Sequence, residues 1–433
     1  MNYKKVNIKN GVNVHLLNTN KFKTNLFSVF LTVPLQRETV TKNALVTAVL
    51  RRGTKHMPTQ DEISKNLENM YGASFDCGVE KTGDNHIIKF YLEGINDEYL
   101  PNNETIFNKC LEILLSIAFD PVTEKGIFLQ EYVESEKQNL IQIINGKIDN
   151  KNRYAFERCV EEMYKNKPYG LYKYGYAEDL ENIDAKNLYD YYSNLINTAK
   201  IDVFVSGNLS EDIVQEIKNN KMINSIKERQ PNYAVNKAIN SNNLENEQLP
   251  KQIEEKLQIN QGKLLLGLQT FNNKTSEQHI NNPIRKYATS IYNIILGGSA
   301  NSKLFQNVRE KASLAYTASS NYIRVKDNIF IRSGIEIANY EKALNIIKEQ
   351  LEQIENGDFT DEEVENAKKL VISTVSSIPD SQDAEITYYL GQELSEGFVT
   401  IDEYIANIKN VTKQDVIEVA KEITINTIYF LRN

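Results

Sequence analysis

Histidine is scarce in this chain of 433 residues: there are four, His15, His56, His86 and His279. They are too far apart for two to share one helix, so no HExxH or HxxEH pair exists. A self-contained zinc site of the common spacing is thereby excluded. Cysteine is scarcer still. Cys77, Cys110 and Cys159 form no CxxC pair and read as reduced, partly buried thiols. No apolar run approaches the roughly 18 residues of a membrane span. The opening Met-Asn-Tyr-Lys-Lys-Val-Asn-Ile lacks the apolar core of a signal peptide. A cytoplasmic location is therefore expected. Positive charge is also short: the net charge of -8 argues against a nucleic-acid surface.

What is present suits a globular protein. Hydrophobic residues make up 41% and charged residues 25%, enough of each for a proper core and a solvated surface. The length allows two to four domains at about 100–200 residues each. Alternation predicts strands at 5–16 and 26–34, and a buried helix over Thr41 to Arg51. A second helix should run from Pro58 to Met70, then two strands near 73–80 and 86–92. Helices are expected over 104–118, 125–144, 151–165 and 185–196, followed by a strand at 201–206. Residues 222–255 are polar and unpatterned, as a linker is.

The second half repeats the first. Ala73-Ser-Phe-Asp-Cys-Gly-Val-Glu-Lys and the strand from His86 match Ala315-Tyr-Thr-Ala-Ser-Ser-Asn-Tyr-Ile and the strand from Asn328. Helix 361–375 answers helix 125–144, and the segment from Asp402 answers that from Glu178. A repeat of about 200 residues is a domain duplication. The expected class is α+β, with two homologous domains at 1–222 and 256–433 joined by the linker 223–255. Each domain should be a mixed or antiparallel sheet with helices packed on it.

The most informative stretch runs from Leu296 through Gly297-Gly298 to Tyr316. The glycines allow close backbone approach. Leu304, Phe305 and Val308 then have the spacing of a short amphipathic helix, with Lys311 near its end. A half-buried strand should follow from Leu314. Arg309 and Tyr316 flank this helix-to-strand junction, where a guanidinium and a phenol can bind a peptide carbonyl or oxyanion. The same spacing also fits a plain reading, a surface ion pair for Arg309 and sheet packing for Tyr316.

The run Leu296-Gly-Gly-Ser, Lys303-Leu-Phe-Gln-Asn-Val-Arg-Glu-Lys and Leu314-Ala-Tyr resembles the second-domain signature of the pitrilysin/insulinase-type zinc peptidases, the inverzincins. Val411-Thr-Lys-Gln-Asp-Val and Gly53-Thr54 add to the resemblance, which covers nearly the whole chain. It implies two homologous α+β domains forming a clamshell, with HxxEH on a helix of the first. It also implies an Arg and a Tyr of the second domain that help bind substrate, and these fall on Arg309 and Tyr316.

Aligned on Arg52-Gly53-Thr54, the family's HxxEH falls on Ala44-Leu45-Val46-Thr47-Ala48. Ala44 and Ala48 replace the histidine ligands and Thr47 the general-base glutamate. The distal glutamate ligand falls near Gln142 or Ile143. A methyl group cannot ligate zinc, and without zinc no water is acidified for attack on a peptide bond. The expectation is that this chain holds no metal. In the bacterial branch of the family some enzymes are pairs of unlike subunits. The resemblance thus implies a non-zinc subunit that supplies Arg309 and Tyr316 to a zinc-bearing HxxEH paralogue, with a peptide as shared substrate. The alternatives are an inactive structural homologue and a peptide-binding module.

Overall fold

The computed structural model describes residues 3–236, 250–271 and 282–433. They form two compact units, each assembled from separated stretches of chain. The first comprises Met1–Gly146, Leu171–Ala234 and Pro379–Gly391; the second comprises Lys147–Gly170, Val235–Ile378 and Gln392–Asn433. The expected halves supply the bulk of the two units, with one segment exchanged each way. Much of the expected linker, 237–249, and His279 lie outside the described residues.

In the first unit the strands are β1 (Tyr3–Lys9), β2 (Val12–Asn18), β3 (Thr24–Pro34), β4 (Ser74–Thr82), β5 (Asn85–Ile95) and β8 (Lys200–Gly207). The short pair β6 (Thr123–Glu124) and β7 (Ile127–Phe128) forms its own ladder. The six-stranded sheet runs β1-β2-β8-β3-β5-β4, with β2 parallel to β8 and every other pair antiparallel. One strand was expected over 5–16. It is two, because Gly11 turns the chain at a φ of +77°, a conformation that favours glycine.

Val12, Val14, Leu16, Phe27, Val29, Leu31, Val203 and Val205 face one way into a core shared with three helices. These are α1 (Val40–Leu50), α3 (Phe107–Phe119) and α6 (Ala185–Thr198), with α2 (Gln60–Asn69) and α4 (Gln130–Asn145) packed beside them. The opposite face is buried too, and so β3 and β8 are buried almost end to end. Its cover includes the helix Gln382–Glu393, far along the sequence. The Gln382 amide donates to the Ser206 carbonyl at 2.9 Å, and the Tyr389 ring stacks on Tyr3 at 4.2 Å.

The second unit repeats this plan. Its strands are β9 (Lys251–Lys256), β10 (Gly262–Gln269), β11 (Ala315–Ile323), β12 (Asn328–Ile335) and β13 (Thr424–Arg432). They run β9-β13-β10-β12-β11, with β9 parallel to β13 and the rest antiparallel. Strand for strand this is β2-β8-β3-β5-β4, so the duplication extends to order and direction. Strand β9 falls inside the stretch expected to be linker. Its sequence Lys-Gln-Ile-Glu-Glu-Lys alternates between half-buried and exposed positions but carries one apolar residue, too little to read as a strand.

One face of this sheet packs on the helices Arg285–Asn293, Tyr340–Glu355, Asp361–Ser376 and Lys413–Glu422. The other face, with Leu265, Phe330, Tyr429 and Leu431, is covered by α5 (Lys151–Met163) through Ala155, Cys159, Val160 and Met163. Helix α5 follows α4, and the helix Gln382–Glu393 follows its counterpart Asp361–Ser376. The exchanged helices therefore occupy equivalent places in the repeat. The observed class is α+β with two homologous sheet-and-helix domains.

Candidate functional site

Helix α1 carries the positions where the zinc motif would fall. Ala44 is buried, Ala48 half-buried, and the buried Thr47 hydroxyl donates to the Asn43 carbonyl at 2.8 Å within its own helix. Gln142 is exposed on α4. The buried side of α4 presents Val133, Glu136 and Leu140 instead, at helical spacing. Glu136 is buried and pairs with Arg52 at 3.2 Å, while the Arg52 guanidinium lies 5.0 Å over the Tyr132 ring. This pair was not anticipated, although the 133-136-140 spacing already marks Glu136 as inward-facing.

Two more groups complete the surroundings of α1. The Asn43 amide donates to His86 Nδ1 at 3.0 Å and accepts from the Tyr191 hydroxyl at 2.6 Å. Burial pushes the His86 imidazole down to about 4, so it is neutral at physiological pH. The Cys77 thiol lies 3.9 Å from the Thr47 carbonyl, and burial pushes it up to about 12. The other thiols, Cys110 and Cys159, are free and likewise pushed up to about 12 by burial.

The described histidines go to three different places. His56 is exposed. His15 is buried in the sheet, stacked on Phe204 at 4.1 Å, and its Nε2 donates to Asp202 at 2.9 Å. Burial opposes ionisation of Asp202, but Lys200 and His15 outweigh it and hold the carboxyl well below the usual range. Among the described residues, no three of His, Cys, Asp and Glu are placed to hold a metal ion. The alanines and threonine at the positions onto which the resemblance maps the zinc motif do not fit zinc, and α1 is a largely buried helix.

Arg309 and Tyr316 have a different setting. Gly297 is required because an added Cβ would lie 2.5 Å from the Ser320 backbone nitrogen. After this close approach, the predicted helix appears as a π-helical segment, Phe305–Lys311, a form that recurs at functional sites. Leu304 and Val308 point into the core. Arg309 points out, its side chain 43% exposed, with its guanidinium 4.5 Å over Phe305 and its Nε 3.5 Å from Glu310.

Tyr316 follows on β11, an edge strand paired only with β12 among the described residues. Ala315 pairs with Ile335 and Thr317 with Gly334, so Tyr316 is the extra residue of a β-bulge. The bulge is pinned by the Gly334 amide donating to the Thr317 hydroxyl at 3.2 Å and the Ser333 hydroxyl donating to the Thr317 carbonyl at 3.1 Å. Tyr316 is 64% exposed and does not pack in the sheet.

Comparison with known proteins matches the description "Peptidase M16 inactive domain" over residues 182–371, which include both Arg309 and Tyr316. The chain is 33% identical to the "Probable inactive metalloprotease YmfF" of Bacillus subtilis, over 98% of this chain and 96% of that protein. It is 22% identical to the "Uncharacterized zinc protease YmxG" of the same organism, over 73% of this chain and 72% of that protein. A crystal structure of a conserved protein from Enterococcus faecalis V583 superposes with a TM-score of 0.87 at 28% identity, covering 100% of this chain and 99% of the other. With this likeness along its whole length, the chain belongs to the pitrilysin/insulinase-type peptidase family.

Proposed function

We propose that this chain is the non-zinc subunit of a heterodimeric zinc metallopeptidase. A paralogue with HxxEH supplies the metal and the general base, and this chain supplies Arg309 and Tyr316 to hold the peptide. The reading rests on one observation: a bulge on an open sheet edge carries Tyr316 into solvent, just after a π-helical segment that does the same for Arg309. An edge strand has unpaired amides and carbonyls that suit strand addition by an extended peptide. A guanidinium and a phenol beside it can donate hydrogen bonds to the peptide carbonyl as negative charge builds on its oxygen. The similarity to both an inactive metalloprotease and a zinc protease of one organism fits a paired assembly.

The test is reconstitution. The purified chain alone should hold no stoichiometric zinc and cleave no peptide. Mixed with its HxxEH paralogue it should yield activity that Arg309→Ala and Tyr316→Phe each lower by about 100- to 1,000-fold, the range for loss of one such donor. Unchanged activity in both variants would remove the pair from the site. A second reading is an inactive structural or peptide-binding homologue. The contacts of Arg309 with Phe305 and Glu310 favour it, since they give that side chain a surface role of its own. It predicts peptide affinity, or none, that is independent of a paralogue.

A further inference from the structure

The turn between β11 and β12 in the second unit sends three charged side chains in different directions. Asp327 accepts from Arg285 and from the Tyr322 hydroxyl, both at 2.6 Å, so each of its oxygens is committed. Glu422 also takes Arg285, at 3.3 Å. Lys326 lies over the rings of Tyr164 and Tyr169, 5.4 and 5.5 Å from their centroids. Arg324 sits in the corner between Tyr404 and Tyr287, at 4.5 and 5.2 Å from their centroids. The two rings meet edge to face at 5.1 Å. Burial opposes the charge of this guanidinium, while the phenols of Tyr404, Tyr322 and Tyr287 favour it and Tyr287 hydrogen-bonds to it; phenols are uncharged at neutral pH.

Lys286 is half-buried at the start of the helix Arg285–Asn293, next in sequence to the Tyr287 whose ring packs on Arg324. Burial and then Arg324 pull its ammonium below the ordinary value, with Asp327 and Glu396 acting the other way. Neither Lys286 nor Arg324 forms an ion pair with any carboxylate of the described residues. Two neighbouring, part-buried cations without a bound anion are unfavourable, because desolvation and mutual repulsion add. Aromatic faces hold the guanidinium by its plane and leave its N–H edge for hydrogen bonding. The Tyr287 hydroxyl accepts from the Asn407 amide at 3.1 Å, so its own hydrogen is available to donate.

We propose that Lys286, Arg324 and the Tyr287 hydroxyl form a binding site for one oxyanion group, a phosphate or the terminal carboxylate of a peptide. The site lies on elements that carry neither Arg309 nor Tyr316, and its existence does not depend on the peptidase reading. It supplies a flat fork of N–H donors, a point charge and a neutral donor, the set that recognises phosphate and carboxylate alike.

Three probes added to the full-length chain distinguish the sources: inorganic phosphate, a short peptide with a free terminal carboxylate, and the same peptide as its amide. Titration calorimetry should show saturable, salt-sensitive binding of phosphate or of the peptide acid, and none of the amide. Arg324→Gln and Lys286→Gln should each weaken it by about tenfold or more, the loss expected for one charge-assisted hydrogen bond. Lys286 makes no side-chain hydrogen bond or ion pair with the described residues, so its variant remains informative if replacement of Arg324 disturbs the fold. Absence of binding by both anions at millimolar concentration, or an affinity unchanged in the Lys286 variant, overturns the proposal.

Discussion

Burial holds the His86 imidazole neutral, and this has a consequence for stability as pH falls. The folded value is about 4, against 6.5 for the free side chain. Between these values the unfolded chain binds a proton that the folded chain refuses, so stability is lost as pH drops from about 6.5 toward about 4. A shift of that size corresponds to roughly 3 kcal/mol over the window. Urea unfolding at a series of pH values should show a shallower loss in His86→Gln than in the parent. Equal slopes would mean that other groups set the acid limit. Little of this was legible beforehand: a lone histidine at the start of a strand says nothing of the Asn43 and Tyr191 that enclose it. Arg309 and Tyr316 were legible as candidates because the Leu296–Tyr316 stretch has a distinctive order of glycine, apolar and basic residues. Their exposure was not, since a bulge is a property of pairing with β12 and leaves no mark in the β11 sequence.

At the scale of the element, the glycine loop comes close to β11 at Gly297 and Ser320. Gly297→Ala would drive a methyl group to 2.5 Å from the Ser320 nitrogen, 2.7 Å from its hydroxyl and 2.9 Å from Leu304 Cδ1. The backbone atom cannot swing away as a side chain can. The substitution should lower unfolding free energy by about 1–3 kcal/mol, as overpacking does, measured by denaturant titration. In the reconstituted peptidase it should also lower activity, because it pushes on Leu304 and Ser320, which flank Arg309 and Tyr316 in the chain. A stable, fully active alanine variant would separate the loop from the site. Most elements followed from pattern: α1, the hairpin strands β4 and β5, and the helix Asp361–Ser376 match their expected spans closely. Strand β9 did not, because at a sheet edge it needs few apolar residues and is specified by its parallel partner β13.

For the whole molecule, the duplication was visible in sequence because each repeat carries the same strands in the same order. The helix exchange was not visible. An amphipathic helix such as α5 declares that it has an apolar face but not which sheet will receive it. The exchange predicts that fragments 1–236 and 250–433, produced separately, each lack the helix that covers one face of their sheet. Neither should unfold cooperatively alone, and mixing them should restore a single cooperative transition followed by circular dichroism. A cooperative transition in either fragment alone would show that the exchanged helix is dispensable. The exchange also orders events during synthesis. Nearly all of the first unit has been made once Ala234 is joined, yet the helix Gln382–Glu393 that completes it comes some 157 residues later, the difference between 391 and 234. At about 5–20 residues per second, the face holding Tyr3 waits roughly 10–30 s for its cover, an interval in which the nascent chain depends on the ribosome and on chaperones to keep it from other surfaces.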